Sequence, residues 1–100
     1  MEHHVYFWLK DEHKNDEDLT EFEAGLVDLC ESETIMRAKW GKPAATEERA
    51  VTDHSWDYGL SLRFRTLDDH NTYQADDPHH MAFISNFKDW WSEVLIMDLA

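Results

Sequence analysis

Apolar and polar positions alternate in the segment HHVYFWLK (3–10): His3, Val5, Phe7 and Leu9 fall on one side, His4, Tyr6, Trp8 and Lys10 on the other. A period of two predicts a β-strand. Both sides carry large apolar groups, so both faces of this strand are expected to be covered. The charged stretch DEHKNDED (11–18) leads into a helix capped by Asn15 or Asp16. Leu19, Phe22, Leu26 and Leu29 recur at spacings of three, four and three, which carries an amphipathic helix to about Cys30. Gly25 lies inside that helix, at a cost of about 1 kcal/mol relative to alanine. Close packing or room for a ligand would account for it.

TIMRAKW (34–40) predicts a second strand, stopped by Gly41 and Pro43, and a polar connection runs from 41 to 54. SWDYGLSLRFRT (55–66) is the clearest strand, with Trp56, Tyr58, Leu60, Leu62 and Phe64 on one face. Thr66 opens a short helix that ends at Tyr73, with Asp69 as its capping-box partner. Asp77 and Pro78 read as N-cap and first residue of another helix. Phe83, Ile84, Phe87 and Trp91 form its buried stripe, and His80 extends that stripe toward the N-terminus. EVLIMDL (93–99) is the final strand.

The element order is β-α-β-β-α-β, with the second helical region broken at 75–78. This is the split pattern of ferredoxin-like α+β folds, an antiparallel sheet with helices on one face. Residues 1–100 form a single domain without repeats or linkers. Helices cover one face only, yet the first strand is apolar on both. A symmetric dimer with facing sheets resolves the conflict, with Tyr6 and Trp8 in the interface core and His4 at the interface or its mouth.

Composition narrows the partners. Hydrophobic residues make up 42% of the 100-residue chain, enough for a packed core. The formal charge of −13 repels phosphate backbones and anionic lipid, which argues against nucleic acid and membrane surfaces. Cys30 is the only cysteine and continues the apolar stripe, so it reads as an inert buried thiol. The longest apolar run, Val5 to Leu9, is far too short for a transmembrane span. A cytoplasmic protein is expected.

Together HHVYFWLK, the WG before Pro43, WDYGLSLRFRTLDD, YQADDPHH and EVLIMD resemble, in order, the stress-responsive A/B barrel (Dabb) family. The resemblance implies two ferredoxin-like protomers closing a dimeric α+β barrel. One branch, that of the plant olivetolic acid cyclases, implies a site of His3, Tyr73 and His80 in a pocket between sheet and helices. Two further polar pocket positions of that branch fall on Tyr58 and Gly25. Trp56, Phe83 and Phe87 complete the expected lining. The family pattern has three residues between tyrosine and proline, whereas this chain has four. The extra residue is expected as a bulge between Gln74 and His79, leaving both helices in register.

If Asp77 caps its helix, His80 is the third helical residue, where the helix dipole disfavours imidazolium. A neutral imidazole can take a proton from a carbon acid while Tyr73 holds the enolate oxygen. His80 could equally be a satisfied histidine under the sheet, and His3 could make a structural hydrogen bond there. No local zinc spacing occurs among the seven histidines, and no phosphate-binding glycine loop is present, so neither a metal nor a cofactor is expected. The leading expectation is a stress-associated homodimer binding a small apolar or aromatic molecule. The alternatives are a cofactor-free lyase or cyclase acting on an aromatic or polyketide-like substrate, and, by fold analogy, a cofactor-independent monooxygenase.

Overall fold

The computed structural model describes residues 1–100. Strand β1 (Glu2–Leu9) is followed by a 3-10 turn at Asp11–His13 and helix α1 (Asp16–Leu29). Strands β2 (Arg37–Gly41) and β3 (Tyr58–Arg63) come next, then helices α2 (Leu67–Asp76) and α3 (Pro78–Phe87). A second 3-10 turn at Lys88–Trp90 leads into β4 (Trp91–Leu99). The sheet is antiparallel with strand order β2-β3-β1-β4, which places β1 inside and β4 at an edge. This is the ferredoxin-like α+β fold.

Register decides which side chains share a face. His3, Val5 and Phe7 pair with Leu62, Leu60 and Tyr58 on one side and with Asp98, Ile96 and Val94 on the other. That layer faces the helices, and on β1 it is buried at every second residue. Phe22, Leu26 and Leu29 of α1 and Phe83 and Phe87 of α3 fill the space above it. His4, Tyr6 and Trp8 point to the other face, beside Met97, Leu95 and Glu93 of β4. No helix covers that side, and Leu95, Met97 and Leu99 stay 43%, 52% and 58% exposed.

Local chemistry sets the helix starts. Asn15 accepts from the Asp18 N–H at 2.9 Å, and Thr66 accepts from the Asp69 N–H at 3.1 Å. Asp77 accepts from the N–H groups of His79 and His80 at 2.8 and 3.2 Å, with Pro78 as the first helical residue. Gly25 has a packing cause. A Cβ built there would lie 2.3 Å from a ring carbon of Phe87, so the glycine lets α1 and α3 approach.

Several elements depart from the sequence reading. The second strand begins at Arg37 rather than 34, and the third at Tyr58 rather than 55. Helix α2 does not end at Tyr73 but continues to Asp76. The expected bulge is therefore absent, because residues 74–76 complete the last turn of α2 and Asp77 alone separates it from α3. Trp91 begins β4 rather than extending the stripe of α3, since the 3-10 turn at 88–90 ends the helix first.

Candidate functional site

Between the sheet and α3 lies a cavity of about 300 Å³. Val5, Phe7 and Leu60 form its floor, and Leu29, Phe83 and Ile84 form its helical wall. Trp91, Val94 and Ile96 of the edge strand flank it. Its polar groups are few: His3, Tyr73, Gln74 and His80. Apolar walls with a small polar cluster are the usual make-up of a small-molecule site.

Each polar group is placed by its element. Asp77 fixes the start of α3 and makes His80 its third residue. Asp77 is itself buried and receives hydrogen bonds from the Ser32 and Thr34 hydroxyls, which ties the loop after α1 to this helix start. The extended α2 brings Tyr73 against His80, with ring centroids 4.4 Å apart at 40°. His3 projects from β1 into the same layer, and its Nδ1 lies 2.5 Å from Asp98 Oδ1 across the β1–β4 pair. His3 Nε2 lies 3.4 Å from the Gln74 side-chain nitrogen.

Electrostatics keep these groups uncharged. Burial lowers the His80 pKa below its usual value of 6.5, against the opposing pull of Asp77. Burial likewise lowers His3, although the hydrogen bond and charge of Asp98 oppose it. The Tyr73 phenol is pushed well above its ordinary range by burial, and the Asp77 charge adds to that. Near neutral pH the cavity thus offers a proton-bearing phenol beside a neutral imidazole. Trp91 Nε1 is buried without a hydrogen-bond partner, and His80 Nδ1 makes none of normal geometry, although the Gln74 backbone stands close enough to favour the protonated ring. Unpaired buried polar atoms are costly and mark places where a ligand or solvent supplies the partner.

The fold brings His3, Tyr73, His80 and Phe83 together on this cavity and places the other expected lining residues elsewhere. Tyr58 is buried and donates to Glu23 at 2.6 Å, away from the cavity. Gly25 lines no space, because the Phe87 ring occupies it, and Phe87 packs among Phe22, Phe83 and Trp90. Trp56 is on the opposite sheet face, where it packs against Tyr6 at a centroid distance of 5.2 Å. It precedes the first residue of β3, so strand alternation does not reach it: the Asp57 N–H bonds to Phe7 and the Asp57 carboxylate to the Leu9 N–H.

On that opposite face, Trp8 donates to Ser55 at 3.0 Å and His4 lies 3.5 Å from Glu2. An open concavity of about 450 Å³ is walled there by Tyr6, Trp8, Trp56, Leu95 and Met97. Sequence reasoning missed Gln74, Trp91 and the Asp98 partner of His3. Asp98 was within reach, since it alternates with Val94 and Ile96 on the strand face that pairs with His3.

The family described as the stress responsive A/B barrel domain matches residues 1–100. No curated protein matches the sequence significantly. Among solved structures, an Arabidopsis thaliana protein aligns with a TM-score of 0.79 at 22% identity, covering 99% of this chain and 92% of its own. A Thermobifida fusca protein, described as dimeric, ferredoxin-like and of unknown function, aligns at TM-score 0.77 and 14% identity, covering 99% and 88%. The hydroxynitrile lyase of Passiflora edulis aligns at TM-score 0.77 and 16% identity, covering 96% and 87%. At these identities the likeness is one of fold.

Proposed function

The chain belongs to the stress responsive A/B barrel domain family, and from that premise we propose that it is a small-molecule-binding homodimer. The cavity between sheet and helices takes a compact apolar or aromatic ligand. Tyr73, His80 and His3 meet the ligand's carbonyl or hydroxyl group. One observation carries this reading: a preformed apolar cavity with a phenol, two imidazoles and a side-chain amide gathered at its polar end. No helix is long and apolar enough to cross a membrane.

The test is a thermal-shift panel of hydroxybenzaldehydes, acetophenones and alkylphenols, since a ligand that binds the native state raises its apparent stability. A stabilising compound should lose about tenfold in affinity in Tyr73→Phe and in His80→Ala. A shift that survives both substitutions would place the compound elsewhere and end the reading.

Dimerisation is supported by the exposed apolar side of the sheet and by the dimeric Thermobifida fusca neighbour. Leu95→Glu puts a carboxylate beside Tyr6 in the centre of that side. Facing copies would meet two such charges, and dimer affinity should fall at least about tenfold. Light scattering at micromolar concentration reads the outcome. A wild-type monomer there would overturn the proposal.

A second reading, acid–base lyase chemistry, is favoured by the contact of His80 with Tyr73. With a cyanohydrin, the class of substrate that the name of the Passiflora edulis neighbour implies, the neutral imidazole would take the hydroxyl proton. The C–O bond becomes a carbonyl as the C–CN bond breaks, and the departing cyanide takes up a proton. Release of benzaldehyde from mandelonitrile by the wild type, absent in His80→Ala, would support it; no release would dismiss it for this substrate.

A further inference from the structure

The fold assembles a second constellation that shares only His3 with the cavity. His3 from β1, His70 from α2 and Asp98 from β4 each offer one ligand atom, and these atoms all lie within 4.8 Å of one another. The His3 and His70 rings are 4.9 Å apart, and Asp98 is the cross-strand neighbour of His3. His70 Nε2 is buried and has no hydrogen-bond partner, while its Nδ1 lies 3.3 Å from Asn71 Oδ1. A buried imidazole nitrogen that makes no hydrogen bond calls for a partner that the protein does not supply.

We propose that His3, His70 and Asp98 form a binding site for a divalent transition cation of the zinc type. Two imidazoles and one carboxylate suit Zn²⁺ and its neighbours in the first transition row, whereas Mg²⁺ and Ca²⁺ prefer oxygen ligands. Ligands at about 2.1 Å in a tetrahedral site lie about 3.4 Å from each other. The 2.5 Å contact between His3 and Asp98 therefore widens on binding, and the longest separation closes. Asp98 can make that movement, because its side chain is 45% exposed at the sheet edge. Imidazoles bind a metal in their neutral form, so two of them with one carboxylate make a ligand set of single negative charge that suits a dication. Three protein ligands leave a fourth position for water, as in exchangeable zinc sites.

The site does not depend on the organic ligand proposed for the cavity. His3 belongs to both, but His70 and Asp98 line none of that cavity, so substitutions there separate the two proposals. The experiment titrates the EDTA-treated chain with ZnCl₂ alone against a chromophoric chelator. Wild type should bind one equivalent at micromolar affinity or tighter, and His70→Gln and Asp98→Asn should each weaken it at least about tenfold. His54→Gln, remote from the cluster, should leave it unchanged. Co²⁺ in place of Zn²⁺ should give the intense visible bands of a four-coordinate ion in the wild type. This second readout holds even if a variant folds poorly. No binding, absence of those bands, or affinity retained in His70→Gln, the mark of an adventitious surface ion only, overturns the proposal.

Discussion

Replacing Asp77 by alanine should lower the unfolding free energy by about 3 kcal/mol, the sum of a lost helix cap and of hydroxyls left without an acceptor. In a chain of this size that is a fall in Tm of about 15 °C. One oxygen of Asp77 caps α3 through the His79 and His80 N–H groups, and the other receives Ser32 and Thr34. Alanine removes both functions at once, whereas asparagine keeps the cap and should recover about half of the loss. Thermal melts of the three proteins at neutral pH read this directly. A loss below about 1 kcal/mol in Asp77→Ala would mean that the buried network contributes little.

The same residue sets a pH dependence. Burial pushes the Asp77 carboxyl up, but hydrogen bonds from Ser32, the His80 N–H, Thr34 and the His79 N–H outweigh it and hold its pKa below the ordinary 3.8. Its contribution is therefore present above that pH and is lost as the medium acidifies through the lower folded value. His3 and His80 also titrate lower in the folded chain than their ordinary 6.5. The unfolded chain binds more protons in that window too, so stability already declines below pH 6.5. Melts against pH should show two descending stages, and Asp77→Asn should shrink only the more acidic one, to which Asp18 and Asp53 also contribute through their own hydrogen bonds.

Gly25→Ala should destabilise the chain by about 2 kcal/mol, even though alanine is the better helix former by about 1 kcal/mol. The added methyl would meet the Phe87 ring at 2.3 Å. That ring cannot simply swing away, because Phe22, Phe83 and Trp90 hold it on other sides. Phe87→Leu makes room, so the double variant should be more stable than the two single losses added together predict. Denaturant unfolding of all four proteins closes the cycle. Strict additivity would show that the glycine has another cause.

Much of this fold was legible because local and global signals agree. Strand β1 announces itself by alternation, with large apolar groups on both faces, and Asp77-Pro78 announces α3. Where the sequence misled, a tertiary contact or a competing local structure had intervened. Trp91 keeps helical spacing from Phe87, and no glycine or proline marks the stop, so the 3-10 turn at Lys88–Trp90 left no signal. The second strand starts late because Ser32 and Thr34 are held by Asp77, far along the chain. Tyr58 leaves the expected pocket because Glu23, on another element, accepts its hydroxyl. The cluster of His3, His70 and Asp98 has no local spacing to recognise: α2 lies over β1, and the β1–β4 register supplies the third member.

The distribution of the indoles has a practical side. Trp91 stands at the cavity with its N–H unpartnered, while Trp8 and Trp56 lie on the uncovered sheet face. Trp90 is stacked on His13 at a centroid distance of 4.2 Å, apart from both. The proposed ligand and the proposed partner copy would thus touch different native fluorophores. Single-tryptophan variants of this chain can report each event optically, with no label attached.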